Sequence, residues 1–162
     1  MNVYFVANVR SILLESLAVP NGAQVRPISE TDLPALADLY VQAYHLGPDA
    51  LGIAVAEMES AFDGTWGTLW IDASPVAWLG TEPVAVVLTV RRPTMKDAPD
   101  CPWLIEVFTH PRHRRAALAR TLLGAAGTVI AGGGEDRVGL TVDDDNVPAL
   151  TLYRSLGFVE TG

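Results

Sequence analysis

The stretch from Trp103 to Phe158 switches repeatedly between two hydrophobic periods, and this alternation constrains the fold more than any other feature of the sequence. "WLIEVFT" (Trp103 to Thr109) has the β-branched and aromatic composition of a strand. From about Ala116 to Ile130 the chain is apolar and helix-favouring, and "GGG" at Gly132 to Gly134 breaks it. Arg137 to Val142 reads as a strand again. Val147 to about Leu156 reads as a helix, with Gly157 as its C-terminal cap. Upstream, Val76 to Leu79 and Val84 to Val90 flank "GTEP" and form a hairpin pattern. Gln24 to Ser29 reads as a strand. A helix follows it, with Leu33, Leu36, Ala37, Tyr40 and Tyr44 at helical spacing and Ser29 and Asp32 in a capping arrangement. Ala50 to Phe62 is a second helix, Asp63 to Pro75 mainly loop, and Arg91 to Pro102 a polar, proline-marked loop. At the start, Val3 to Val6 is a short β-prone run, followed by a short helix (Ser11 to Leu17) and the turn "VPNG". Strands around a hairpin, then strands alternating with helices, predict an α/β fold: a mixed central β-sheet flanked by helices. With 162 residues, no repeat and no linker, one domain over residues 1–162 is expected, residues 1–22 being an N-terminal extension.

Charge and cysteine content remove several classes of function. A net charge of −8 argues against general nucleic-acid binding, which depends on cationic neutralisation of phosphates. The one cysteine, Cys101, excludes an internal disulfide and a cysteine-based zinc cluster. No apolar run approaches the ~20 residues that cross a bilayer. "MNVYFVANVR" lacks the basic region of a signal peptide, so a cytoplasmic location is expected and no membrane partner. Asp143, Asp144 and Asp145 lack the alternating ligands of a metal loop, so no metal is expected there.

"HPRHRRAALARTLL" (His110 to Leu123) concentrates positive charge where a buried strand passes into a helix. The first turn of such a helix exposes unpaired N–H groups at the positive end of the helix dipole. Arg112, Arg114 and Arg115 add full charges, and alanine at 116, 117 and 119 lets a ligand approach the backbone. Two readings stand on this segment alone: a site for a phosphate-bearing cofactor, or a solvated basic turn ahead of an Ala-rich helix.

The downstream segment "DDDNVPALTLYRSLGF" adds an N-x-x-A-x-x-L-Y-x-x-x-G-F pattern, carried by Asn146, Ala149, Leu152, Tyr153, Gly157 and Phe158. The order strand, basic loop, helix, strand and this pattern resembles the acyl-CoA N-acyltransferase superfamily, the GNAT fold. That family's phosphate loop is an Arg or Gln, two residues, a Gly, one residue, then Gly or Ala. Arg114 fits the first position and Ala119 the last, while Ala117 stands where Gly is usual. The resemblance implies binding of acetyl-CoA and direct transfer of its acetyl group to an amine of a small molecule or a protein. It places the pyrophosphate on the loop formed by Arg114, Arg115, Ala116, Ala117, Leu118 and Ala119. The pantetheine arm runs beside Val107, Phe108 and Thr109, and Asn146 and Tyr153 face the cofactor from the second motif. Ala117, at a helix start, is expected to take an ordinary helical φ and to weaken binding at most. Relatives continue past "GF" with a strand, a turn and a strand. A shortened C-terminal strand region is therefore expected here, its sheet edge filled by Val3 to Val6 or by a second subunit in a homodimer.

Two residues carry the chemistry that the resemblance implies. Attack of an amine on a thioester expels a thiolate, and Tyr153 is placed to protonate it as general acid. Its alternative is packing on the inner face of its helix beside Leu150 and Gly157. Glu106 interrupts an apolar strand, whose alternation puts Leu104, Glu106 and Phe108 on one face. A carboxylate there either opens into a cleft as general base or pairs with Arg91 or Arg92, since it cannot be buried alone. Trp66, Trp70, Trp78 and Tyr44 are candidates to line the acceptor site, with packing in the core as the alternative for such aromatics. The rival to an enzyme is a non-catalytic acyl-CoA-binding sensor or interaction module. Cys101 reads as an incidental thiol, and His110 and His113 as polar surface.

Overall fold

A computed structural model describes residues 1–13, 19, 22–114 and 117–161. Seven strands, β1 (Asn2–Asn8), β2 (Gln24–Pro27), β3 (Pro75–Leu79), β4 (Glu82–Val90), β5 (Trp103–Thr109), β6 (Arg137–Asp143) and β7 (Val159–Thr161), form one sheet in the order β2-β3-β4-β5-β6-β1-β7. The helices are α1 (Leu33–Ala43), α2 (Leu51–Phe62), α3 (Leu118–Gly132) and α4 (Val147–Ser155). None is long and apolar enough to cross a membrane among the described residues.

The sheet is covered on both faces, which explains the near-continuous apolar run of β4. Val86 and Leu88 point to the α1–α2 layer, where they meet Leu36, Ala37, Met58 and Phe108. Ala85 and Val87 point the other way, to Leu122, Leu123, Ile130, Leu150 and Tyr153 of α3 and α4. Neighbouring strands are antiparallel except β5 and β6, which run parallel and pair only at Trp103↔Gly139 and Leu104↔Leu140. Those rungs are pinned by the Trp103 indole, which packs against Gly139: a Cβ there would fall 2.1 Å from the ring. Trp103 also donates through Nε1 to Thr141 Oγ1 at 3.2 Å. Beyond Leu140 the two strands part.

The far side of the sheet differs from expectation in one respect. The β-prone run Val3 to Val6 does lie beside β6, inside a longer strand that pairs from Asn2↔Asp143 to Asn8↔Arg137. However, the residues after Phe158 also form a strand, β7, which adds to β1 through Tyr4↔Thr161, Phe5↔Glu160 and Val6↔Val159. The edge strand is thus three residues long. Val9–Ile12 forms a 3₁₀ turn that ends at Leu13 in an extended conformation, so the expected helix does not continue there; residues 14–17, and Pro20 and Asn21 of "VPNG", lie outside the described residues. Gly157 does end α4, at φ +92°, with Phe158 N–H bonding back to Tyr153 C=O, and a Cβ there would lie 2.7 Å from Ser11 Oγ.

Candidate active site

The site begins with an irregularity in β5. The β4–β5 register pairs Leu88 with Glu106 but Thr89 with Leu104, so Ile105 is an extra residue, a β-bulge. The bulge breaks the expected alternation. Leu104 joins the α3–α4 core, whereas Ile105 and Phe108 join the α1–α2 side, where Glu106 accepts a hydrogen bond from Tyr44 Oη at 3.2 Å. Leu104 and Glu106 therefore occupy opposite faces, because one additional residue turns the strand by half its period.

Glu106 forms no ion pair among the described residues, and neither Arg91 nor Arg92 pairs with it. Arg91 stacks over the Trp70 ring at 4.0 Å, and Arg92 pairs with Asp100 and Glu135. Desolvation of the carboxylate pushes its pKa up to about 7, the Tyr44 hydrogen bond opposes the rise, and the charge of Glu57 on α2 adds to it.

Where β5 and β6 separate, a cleft of about 710 Å³ opens. Its walls include Val107, Phe108 and Thr109 of β5, Thr141 to Asp143 of β6, and Asn146, Leu152 and Tyr153 at α4. Glu106 and Tyr44 face into the same space. From Ile105 onward the β6-side edge of β5 carries no strand partner, so its backbone lines the cleft. Asn146 caps α4, its side chain accepting from Ala149 N–H at 3.3 Å. Tyr153 serves both of its expected settings. It belongs to the core, with its ring 5.7 Å from Phe158, and it also borders the cleft. Burial, and to a lesser degree the charge of Glu106, raises its pKa above the usual phenol range.

At one end the cleft passes, past Thr109, Arg114, Ala119 and Leu152, into a cavity of about 210 Å³ over the start of α3. Ala117, Leu118 and Ala119 line this cavity beside Arg114 and Arg120. Among the described residues no side chain caps this helix, and its first turn, whose N–H groups have no partner within the helix, borders the cavity. An uncapped helix start flanked by arginines is what a diphosphate requires. The conformation of Ala117 departs from expectation: its φ is +60°, left-handed, and α3 begins one residue later at Leu118. That is the backbone for which Gly is used, so the substitution carries a steric cost rather than only an added methyl. Arg115 and Ala116 lie outside the described residues.

The arginines divide between two sides of the loop. Arg114 lines the cleft and donates to Ala43 C=O at the end of α1, whereas Arg112 lines a separate hollow with Asp38, Gln42, His110 and His113. Of the aromatics proposed for the acceptor, Tyr44 borders the cleft and Trp66 a neighbouring cavity. Trp70 is in the α3-side core and Trp78 is under Arg26 at the opposite end of the sheet. Buried Cys101 has its pKa raised chiefly by desolvation, which disfavours the reactive thiolate. Glu57 was not singled out from sequence: it stands on a helix with no motif around it.

Residues 33–158 match the Acetyltransferase (GNAT) family. Among solved structures, PH1933 from Pyrococcus horikoshii OT3 superposes with a TM-score of 0.73 at 19% identity, over 86% of this chain and 90% of that one. A GCN5-related N-acetyltransferase from Sphaerobacter thermophilus superposes at 0.68 and 17% identity over 99% of this chain, which spans about half (48%) of its length. The aminoglycoside N-acetyltransferase AAC(6')-Iy, solved in complex with CoA, gives 0.64 at 21% identity over 90% and 94% of the two chains. At these identities the likeness is one of fold. No curated protein matches the sequence. The family match runs from the start of α1 through the Gly157–Phe158 pair that closes the second motif, and with that span the chain belongs to the acetyltransferase (GNAT) family.

Proposed function

We propose that this protein transfers the acetyl group of acetyl-CoA directly to an amine. One observation carries the reading: Glu106 and Tyr153, a carboxylate poised near neutrality and a protonated phenol, border the same cleft, which leads to the uncapped start of α3. The residues present suit the cofactor. Backbone N–H groups of Ala117 to Ala119 and the Arg114 guanidinium would hold the diphosphate, and the free edge of β5 at Val107 to Thr109 would pair with the pantetheine amides. When bound, acetyl-CoA supplies an acetyl group activated as a thioester.

Glu106 performs the first proton step. In its ionised form it takes a proton from the incoming ammonium, leaving a neutral nucleophile, and a pKa near 7 suits that task at neutral pH. As the N–C bond forms and the C–S bond breaks, Tyr153 donates its proton toward sulfur, and the proton shed by nitrogen replaces it. Burial keeps the phenol protonated so that it remains a donor.

Tyr153→Phe and Glu106→Gln test this, with CoA release measured at saturating amine and CoA binding measured by calorimetry. Each variant is expected to lose ~10²-fold or more in rate while CoA affinity holds. Two variants as active as the parent would remove both roles. Tight CoA binding without turnover of any amine would leave a CoA-binding module in place of an enzyme.

A further inference from the structure

A second cavity, of about 200 Å³, opens on the α2 side of Glu106. Glu57 and Ala61 of α2, Trp66, Met95 and Trp103 wall it, and it shares Leu104, Ile105, Glu106 and Thr141 with the cofactor cleft. Glu106 therefore stands where the two spaces meet, and the bulge at Ile105 is what turns it there. We infer that this cavity is the acceptor site, and that it takes a monocationic primary amine on one compact apolar body, aromatic or branched aliphatic, its ammonium held by Glu57 and Glu106. The inference deepens the transfer reading above and rests on it.

Charge decides the head group. Both ionisable residues lining the cavity are acids, and Glu57 forms no ion pair among the described residues. Two carboxylates facing a part-buried space repel each other until a cation enters. Shape and polarity decide the body. The volume is close to the ~150 Å³ that admits a benzene ring in an apolar cavity, enough for one ring and a short alkyl stem. The walls away from the two acids are largely Trp66, Met95, Trp103 and Ala61, with Asn2 and Thr141 as the other polar side chains. A second ammonium, or the hydroxyls of a sugar, would be desolvated against those walls with few partners.

The experiment compares phenethylamine, isoamylamine, spermidine, kanamycin and a lysine-containing peptide as acceptors, for the parent and for Glu57→Gln. The expected result is a kcat/KM for the first two amines at least tenfold above the other three. Glu57→Gln should raise KM for phenethylamine tenfold or more, with kcat and CoA affinity little changed. Preference for spermidine, kanamycin or the peptide, or an unchanged KM in Glu57→Gln, would overturn the acceptor assignment while leaving acetyl transfer intact. Calorimetry separates the opposite failure. Phenethylamine that binds the CoA-loaded protein in a Glu57-dependent way, yet is never acetylated, would support the site and overturn the transfer reading.

Discussion

Glu106 links the chemistry to the stability of the chain. Its pKa rises on folding from 4.5 to about 7, so the folded protein binds that proton more tightly than the unfolded chain. Stability contributed by the protonated form is complete below about 4.5 and is lost as pH rises through about 7. Glu106→Gln removes the ionisation and should melt above the parent at pH 8, by up to ~3 kcal/mol, with little difference at pH 4. With Glu106 as the proposed base, the rate of acetyl transfer should climb as pH rises through about 7. Equal melting differences at both pH values would contradict the assignment. Ala117 makes a separate prediction. At φ +60° it occupies a conformation that costs a side-chain-bearing residue ~1–2 kcal/mol. Ala117→Gly should therefore stabilise the protein by ~0.5–1 kcal/mol and tighten CoA binding, as denaturant titration and calorimetry would show. Sequence marked Tyr153 and Glu106, one through its motif and the other as a charge in an apolar strand. It had no means of marking Glu57, which lines the neighbouring cavity from α2. The backbone of Ala117 was equally hidden, since one residue of uncertainty in a helix start decides the sign of φ.

Elements were more legible than their neighbours. The periods of β3 to β6, α1, α2 and α4 locate those elements in sequence, and α3 starts late only because Ala117 turns out of the helix. The bulge in β5 could not be read, because it exists only in the register against β4. Likewise, the β period of Val3 to Val6 says nothing of which strand it joins, and β7 is too short for alternation to register. Once paired, β1 is the link between β6 and β7: Phe5 is 1% exposed, in the core shared with Leu140 and Tyr153. Deleting residues 2–8 should uncover the whole edge of β6, the strand that forms one wall of the cleft. Loss of the cooperative melt, or association through the bared edge detectable by light scattering, is the expected outcome. A truncated chain that stays monomeric at the parent's melting temperature would mean that β1 adds nothing to the sheet.

At the scale of the whole molecule, the cleft is a seam. On one side lie β2 to β5 with α1 and α2, on the other β6, β1 and β7 with α4, and only two rungs at Trp103 and Leu104 join the parallel strands between them. At the cleft mouth Arg114, between β5 and α3, holds the C-terminal carbonyl of α1 at Ala43, which ties the loop to the β2–β5 side. A ligand lying in the cleft touches both sides, so its binding free energy should appear in the global unfolding of the chain rather than in one element. At a CoA concentration a hundredfold above Kd the stabilisation is ~2.7 kcal/mol, or roughly 5–10 °C in Tm for a chain of this size. The two arginines of the loop make this specific. Arg114→Ala removes both the contact to α1 and a charge at the cavity over the start of α3, the proposed diphosphate site, and should abolish most of the CoA-induced shift. Arg112→Ala, which empties a hollow on the other side of the loop, should leave the shift intact. Thermal melts of the three proteins across a CoA titration measure this directly. Equal shifts in both variants would place the cofactor somewhere other than the start of α3.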